Sequence, residues 1–163
     1  MSETSTTPSS SFESNVKWPL VRQHDHGHPV ATIEYLLRAR GQNIAADGEF
    51  GPTTDAAVRA FQQAKGLTAD GIVGPKTWAA LIMTVRSGDS GDAVKGVQQE
   101  ANDRQLSGHA IGLTIDGVFG EMTEEFVRGF QQALRHLFPM DDIAVDGVVG
   151  PITWRALVAG VRL

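Results

Sequence analysis

Apolar side chains recur along this chain in short blocks with helical spacing, and polar, glycine-containing stretches separate the blocks. Val30, Ile33, Leu36 and Leu37 share one face of a predicted helix that Gly41 stops. Ala57, Val58, Phe61 and Ala64 define a second, closed by Gly66 and the apolar contact of Leu67. Trp78, Leu81 and Ile82, at i, i+3 and i+4, give a short third over 76–83. The pattern then restarts. Residues 85–94 lie over 21–30, so that Val97, Gln98 and Ala101 take the places of Ile33, Glu34 and Leu37. Further on, residues 123–132 lie over 54–63, and Trp154 lies over Trp78. The growing offset places two insertions in the second copy, near residues 104–113 and 135–142. The pattern therefore predicts an all-α protein of two tandem three-helix bundles, over residues 16–84 and 85–163. With almost no linker at Thr84, the two should pack as a stiff pair.

One phrase punctuates the helices four times: Asp47-Gly48-Glu49-Phe50-Gly51-Pro52, Asp70-Gly71-Ile72-Val73-Gly74-Pro75, Asp116-Gly117-Val118-Phe119-Gly120-Glu121 and Asp146-Gly147-Val148-Val149-Gly150-Pro151. Asp-Gly makes a tight turn, because Gly tolerates positive φ and Asp hydrogen-bonds the backbone that follows it. The bulky apolar residue anchors the turn on a core, and the second Gly ends it. Pro then occupies the first helical position in three copies, where its fixed φ suits the helix and no N–H is lost. Each of these short Asp-Gly turns is a helix starter.

Composition changes this picture little. The chain has 163 residues, 41% hydrophobic and 20% charged, which is ordinary for a globular protein. Its net charge of -5, without a run of Lys or Arg, argues against a nucleic-acid partner. The longest apolar run, 78–83, is far short of the roughly 20 residues that span a bilayer, so no membrane partner is expected. Cys is absent, which removes disulfide frameworks and thiolate metal sites. Residues 1–15 are Ser/Thr-rich, lack Lys and Arg and lack an apolar segment. They read as a disordered tail and not as a secretory signal.

The order of motifs carries a resemblance. A polar loop with Gly-Asp, a helix of the form V-x-x-[LIV]-[QE], the phrase D-G-x-F-G-P-x-T, the stretch A-V-x-x-F-Q-Q and the phrase D-G-I-V-G-P-x-T-W together resemble the three-helix bacterial peptidoglycan-binding domain, here as two tandem copies. Such modules accompany amidases, carboxypeptidases, transglycosylases and phage endolysins. The resemblance implies non-catalytic attachment to cell-wall peptidoglycan, through the glycan strand, the stem peptide or both. It also implies an extracellular or wall location, a role in targeting a hydrolase or anchoring to the wall, and a chain that acts as a monomer without cofactors. The sequence departs from the family pattern at Glu34, where Gln is usual, at Glu121 in place of Pro, and at His24 and His28 in the first loop.

The candidate chemistry is sparse. His24, His26 and His28 alternate around Asp25 and could hold a divalent metal, but the second copy has Gly88, Ser90 and Asp92 in those places, so a solvated loop is expected and no metal. Gly88-Asp89-Ser90-Gly91 spells a serine nucleophile loop, yet a serine needs a base held by an acid on a suitable scaffold, and neither is predicted. A wall hydrolase acting through Ser90 or a His-loop metal, and a protein-interaction scaffold, stand as the alternatives. The acids Asp47, Asp70, Asp116 and Asp146 read as turn caps before they read as paired catalytic carboxylates. Trp78, Trp154, Phe61 and Phe130 read as core, while Phe50, Phe119 and Tyr35 could sit half exposed. A wall-binding groove should combine an apolar platform with polar groups for N-acetyl and carboxylate. The candidate ligand-binding residues are therefore Asp25, Tyr35, Arg38, Asp47, Phe50, Arg59, Asp89, Asp116, Phe119 and Arg128, with the arginines as carboxylate partners.

Overall fold

The computed structural model of the protein describes residues 11–105 and 112–161. Among them stand seven helices: α1 (Ser11–Asn15), α2 (Val30–Ala39), α3 (Pro52–Ala64), α4 (Pro75–Leu81), α5 (Asp92–Gln105), α6 (Glu121–Leu137) and α7 (Pro151–Val158). Extended pairing is confined to four isolated antiparallel bridges, Val21 with Val73, His26 with Glu49, Val85 with Val149 and Ser90 with Val118. The fold is all-α, as the periodicity predicts, and α5 to α7 repeat α2 to α4 element for element. The insertion near 104–113 falls largely outside the described residues.

Each Asp-Gly phrase starts a helix. Pro52, Pro75 and Pro151 open α3, α4 and α7, and Glu121 opens α6, where an acid suits the positive end of the helix dipole. The first glycine of each phrase has φ between 75 and 78°. An L side chain would pay about 1–2 kcal/mol in that left-handed region. The second glycine is the extended N-cap of the helix.

Trp78 and Trp154 are fully buried, and their indole N–H groups donate to the carbonyls of Pro19 and Met83, both at 2.8 Å. Trp18 stacks on Trp78 at 5.7 Å between ring centres. Phe61 and Phe130 are core, as expected. Phe50 and Phe119 are not half exposed: 2% and 1% of their surfaces remain accessible. The cause is the preceding loop, which folds back over each phrase. His24 N–H donates to Phe50 O while Phe50 N–H donates to Asp25 O, and Gly88, Phe119 and Asp89 repeat the arrangement.

The tail expectation fails at its last five residues. Ser11–Asn15 form α1, with Phe12 buried edge-on against Phe138, ring centres 5.5 Å apart. Arg155 of α7 donates to Val16 O at 2.6 Å and to Glu13 O at 3.0 Å, and Asp141 accepts the Phe12 N–H at 3.2 Å. One aromatic ring and one arginine hold a helix too short to show periodicity. Residues 1–10 lie outside the described residues.

The repeats meet along α2 and α5. Gly96 of α5 makes room there: a Cβ on it would stand 3.4 Å from Trp154, 3.7 Å from Thr32 and 3.8 Å from Tyr35.

Candidate functional site

Each phrase is held from below by one buried side chain on a neighbouring helix. Gln62, Gln98 and Gln131 do the same work in the second, third and fourth phrases. In each case Nε2 donates to the phrase Asp (Asp70 3.1 Å, Asp116 3.0 Å, Asp146 3.2 Å) and to a Thr hydroxyl (Thr77 3.0 Å, Thr123 3.1 Å, Thr153 3.1 Å). It also donates to the carbonyls of Ile72, Val118 and Val148 at 2.8–3.1 Å, while Oε1 accepts from Gly71, Gly117 and Gly147 at 2.9–3.0 Å. An amide suits this place because it both donates and accepts. In the first phrase Glu34 replaces it, accepting from Gly48 N–H at 2.8 Å and from the Thr54 hydroxyl at 2.7 Å. Burial pushes its carboxyl above the usual 4.5, against the two hydrogen bonds, and the charge of Asp47 pushes it further the same way. These latches were missed in the sequence, although the first Gln of each F-Q-Q and the [QE] of the first helix pattern were the signal.

The structure disperses the sequence-predicted site residues. Asp47 and Asp116 accept from the N–H two residues on, Glu49 at 3.0 Å and Val118 at 2.9 Å, and the Val118 amide holds Asp116 below the usual carboxylate range. Asp25 and Asp89 accept from Arg22 N–H at 3.0 Å and Arg86 N–H at 2.9 Å, closing their own loops. Arg59 pairs with Asp55 and donates to Ala69 O; Arg128 pairs with Glu124 and donates to Val145 O. Arg38 bridges the repeats to Asp92 at 3.1 Å and donates to Ile44 O. Tyr35 stands at the joint between the repeats, and Phe50 and Phe119 are buried. The three arginines are braces already engaged, and they do not converge on one cleft.

Several other cations have no ion-pair partner among the described residues: Lys17, Arg22, Arg40, Lys65, Lys76, Arg86 and Arg135. Arg22 and Lys76 border a groove of about 480 Å³ in the first repeat, with Leu20, Leu67, Ile72 and Pro75 as its apolar floor. Asp70, at its edge, is held below the usual carboxylate range chiefly by the Ile72 amide. The second repeat keeps Arg86 but carries Thr84 for Leu20 and an exposed Ile152 for Lys76, so it lacks the pair of cations.

The histidines do not converge either. His24 and His26 are exposed, whereas Nε2 of His28 reaches Glu100 of the second repeat at 2.8 Å. Glu100 is fully buried and also accepts from Thr32 at 2.6 Å and Arg104 at 3.0 Å. Burial works to lower the His28 pKa, but the bond to Glu100 and the charges of Glu100 and Asp103 outweigh it and hold the imidazole above 6.5. Asp103 is pushed up from 3.8 by burial, against its bond to Gln99. The metal-capable atoms of His28, Glu100 and Asp103 lie within 4.8 Å of one another. The guanidinium of Arg104 and the Thr32 hydroxyl already occupy Glu100, which leaves the cluster the character of an internal ion-pair joint. Ser90 sits in its bridge with Val118, and among the described residues no histidine is hydrogen-bonded to it.

Latched helix starters and two buried indoles at equivalent places define a small helical module present twice, the first copy with a cationic groove. The family described as "Putative peptidoglycan binding domain" matches residues 26–81 and 90–157, and the chain belongs to that family in both halves. A zinc D-Ala-D-Ala carboxypeptidase of Streptomyces albus G is 32% identical over 120 residues, 74% of this chain and 46% of its own length. The N-acetylmuramoyl-L-alanine amidase CwlM of Mycobacterium tuberculosis is 36% identical over 129 residues, 72% of this chain and 29% of its own length. The chain spans less than half the length of either relative. A crystal structure of a peptidoglycan-binding protein from Clostridioides difficile overlaps 39% of this chain and 40% of its own, at 40% identity and a TM-score of 0.38.

Proposed function

We propose that this chain attaches to bacterial peptidoglycan at the cell wall without cutting it, and that the first-repeat groove takes a carboxylate-bearing part of the stem peptide. Membership of the family in both halves supports the wall as target. The observation that carries the choice of site is the pair of uncommitted cations, Arg22 and Lys76, beside an apolar floor. A D-alanyl terminus or a lactyl-peptide offers that combination of methyl and carboxylate, and an uncharged glycan strand does not. The engaged arginines and the isolated Ser90 support a binding module over a hydrolase.

The test is a pull-down of the full chain with washed sacculi, comparing the parent with an Arg22→Ser/Lys76→Ser double variant. Losing two charge-assisted contacts of about 1.5–3 kcal/mol each should weaken binding by tenfold or more while leaving melting unchanged, since both side chains are exposed. Undiminished binding by the variant would move the site elsewhere. Release of soluble muropeptides by the parent chain would make it an enzyme.

A further inference from the structure

Among the described residues, three of the six large apolar side chains left most exposed lie on α6 or just past its end: Met122 (55%), Leu137 (51%) and Met140 (90%). With the half-buried Phe126 between them they form an apolar stripe beside the face that α6 buries in its own core. Along the stripe Gly129, Gln132, Ala133 and His136 surround a surface hollow. They stand at i, i+3, i+4 and i+7, the four-residue frame into which a side chain of a facing helix inserts.

The first repeat has no such surface. Where α6 carries Met122 and Phe126, α3 carries Thr53 and Ala57, and α3 has 13 residues against the 17 of α6. The stripe is thus an addition to the shared fold and not part of its packing. Charge says what covers it. Glu124 and Arg135 are spent on Arg128 and the Ile143 carbonyl, but Glu121 in the first turn of α6 and His136 in the last have no ion-pair partner among the described residues, so the helix is complementary to itself when reversed. Residues 1–10, which precede the contact of Ser11 with Asp141, contain no apolar side chain between Met1 and Pro8 and offer no row of knobs.

We propose that α6 is a self-association face: two copies of this chain meet antiparallel along it, Gly129 opposite Gly129. Phe126 of each then fills the hollow of the other, and Glu121 of each lies beside His136 of its partner. One helix face buries less surface than a standard stable interface, so the dimer is weak and concentration-dependent. Such a dimer would replace the monomer expected from the sequence.

Sedimentation across micromolar to millimolar concentration should show the apparent mass rising from 17.5 kDa toward twice that value. Ala133→Lys and, separately, Leu137→Lys should abolish the rise at unchanged helicity. A mass that stays monomeric throughout, or a dimer that survives both substitutions, overturns the proposal. The four methionines supply a second readout in the intact chain: the ε-methyl resonances of Met122 and Met140 should shift on dilution and that of Met83 should not. Concentration-independent contacts of Met1 with Met122 would make the tail the occupant instead. Because the chain has no Cys, orientation can be read directly. Chains with Glu125→Cys should cross-link quickly to chains with Gln132→Cys and slowly to themselves, whereas self-linking of Glu125→Cys would show a parallel pair.

Discussion

The first latch and the third do one job with different chemistry. Gln98 satisfies a glycine N–H, a carbonyl, a hydroxyl and the phrase aspartate. Glu34 satisfies only donors, and when ionised it faces Asp47 with nothing to give. A single oxygen for nitrogen therefore turns a neutral buried bracket into one that depends on its proton. The difference shows that the phrase tolerates an imperfect bracket when the turn above has other support. That support is common to both: the bridge between His26 and Glu49 and the turn bond to Asp47 in the first phrase, the bridge between Ser90 and Val118 and the turn bond to Asp116 in the third.

The sharpest way to break this comparison is to remove both brackets in turn. Gln98→Ala leaves the Gly117 N–H and the Thr123 hydroxyl buried without partners, at about 1–3 kcal/mol each, so a loss of about 3 kcal/mol is expected in urea unfolding. Glu34→Ala should cost about 1 kcal/mol, because the buried charge leaves together with its two bonds. Equal losses would mean that the two brackets are equivalent after all.

A finer test converts one into the other. The Glu34 carboxyl titrates higher folded than unfolded, so its contribution to stability is complete below about pH 4.5 and is lost as pH rises through the folded value. Glu34→Gln should therefore stabilise the protein by about 1 kcal/mol at pH 7, with the advantage shrinking as the pH is lowered toward 4.5. Melting at a series of pH values checks this, and an advantage that does not change with pH would place the proton elsewhere.

The smallest effect concerns the joint between repeats. His28, facing Glu100, Asp103, Arg104 and Thr32, is held above 6.5, so its contribution is complete below that pH and fades as pH rises through the folded value. His28→Gln should lower the melting temperature at pH 6 and leave it nearly unchanged at pH 8, a difference below about 1 kcal/mol for a partly exposed pair. A deficit of the same size at both values would show a packing role without a proton.

Much of the fold was legible because its signals are local. Helix faces, proline starts and the repeat register each lie within a few residues of one another. The site was less legible because its arguments are long-range or subtractive. Arg59 and Arg128 look like free cations until Asp55 and Glu124, four residues earlier on the same helix, are seen to take them, a spacing that the sequence already displayed. Arg22 and Lys76 are separated by 54 positions, 76 less 22, and meet at one groove only because Val21 pairs with Val73. His28 finds Glu100 across the joint of two repeats, which no pattern within either repeat reveals. Phe12 is one ring in a Ser-rich stretch, and its burial depends on Phe138, in the region of the second insertion.

The placement of α1 has a mechanical consequence. Residues 12–16 are fastened to Phe138, Asp141 and Arg155, all in the second repeat, which also carries the chain on to Val161. Tension applied between Ser11 and Val161 thus runs through that clasp and the second bundle alone. The first bundle, with its groove, hangs outside the loaded path until the clasp tears. A protein strained along its length on a growing wall would keep its cationic groove unstressed, and the Phe12 ring with the arginine beside it would be the fuse.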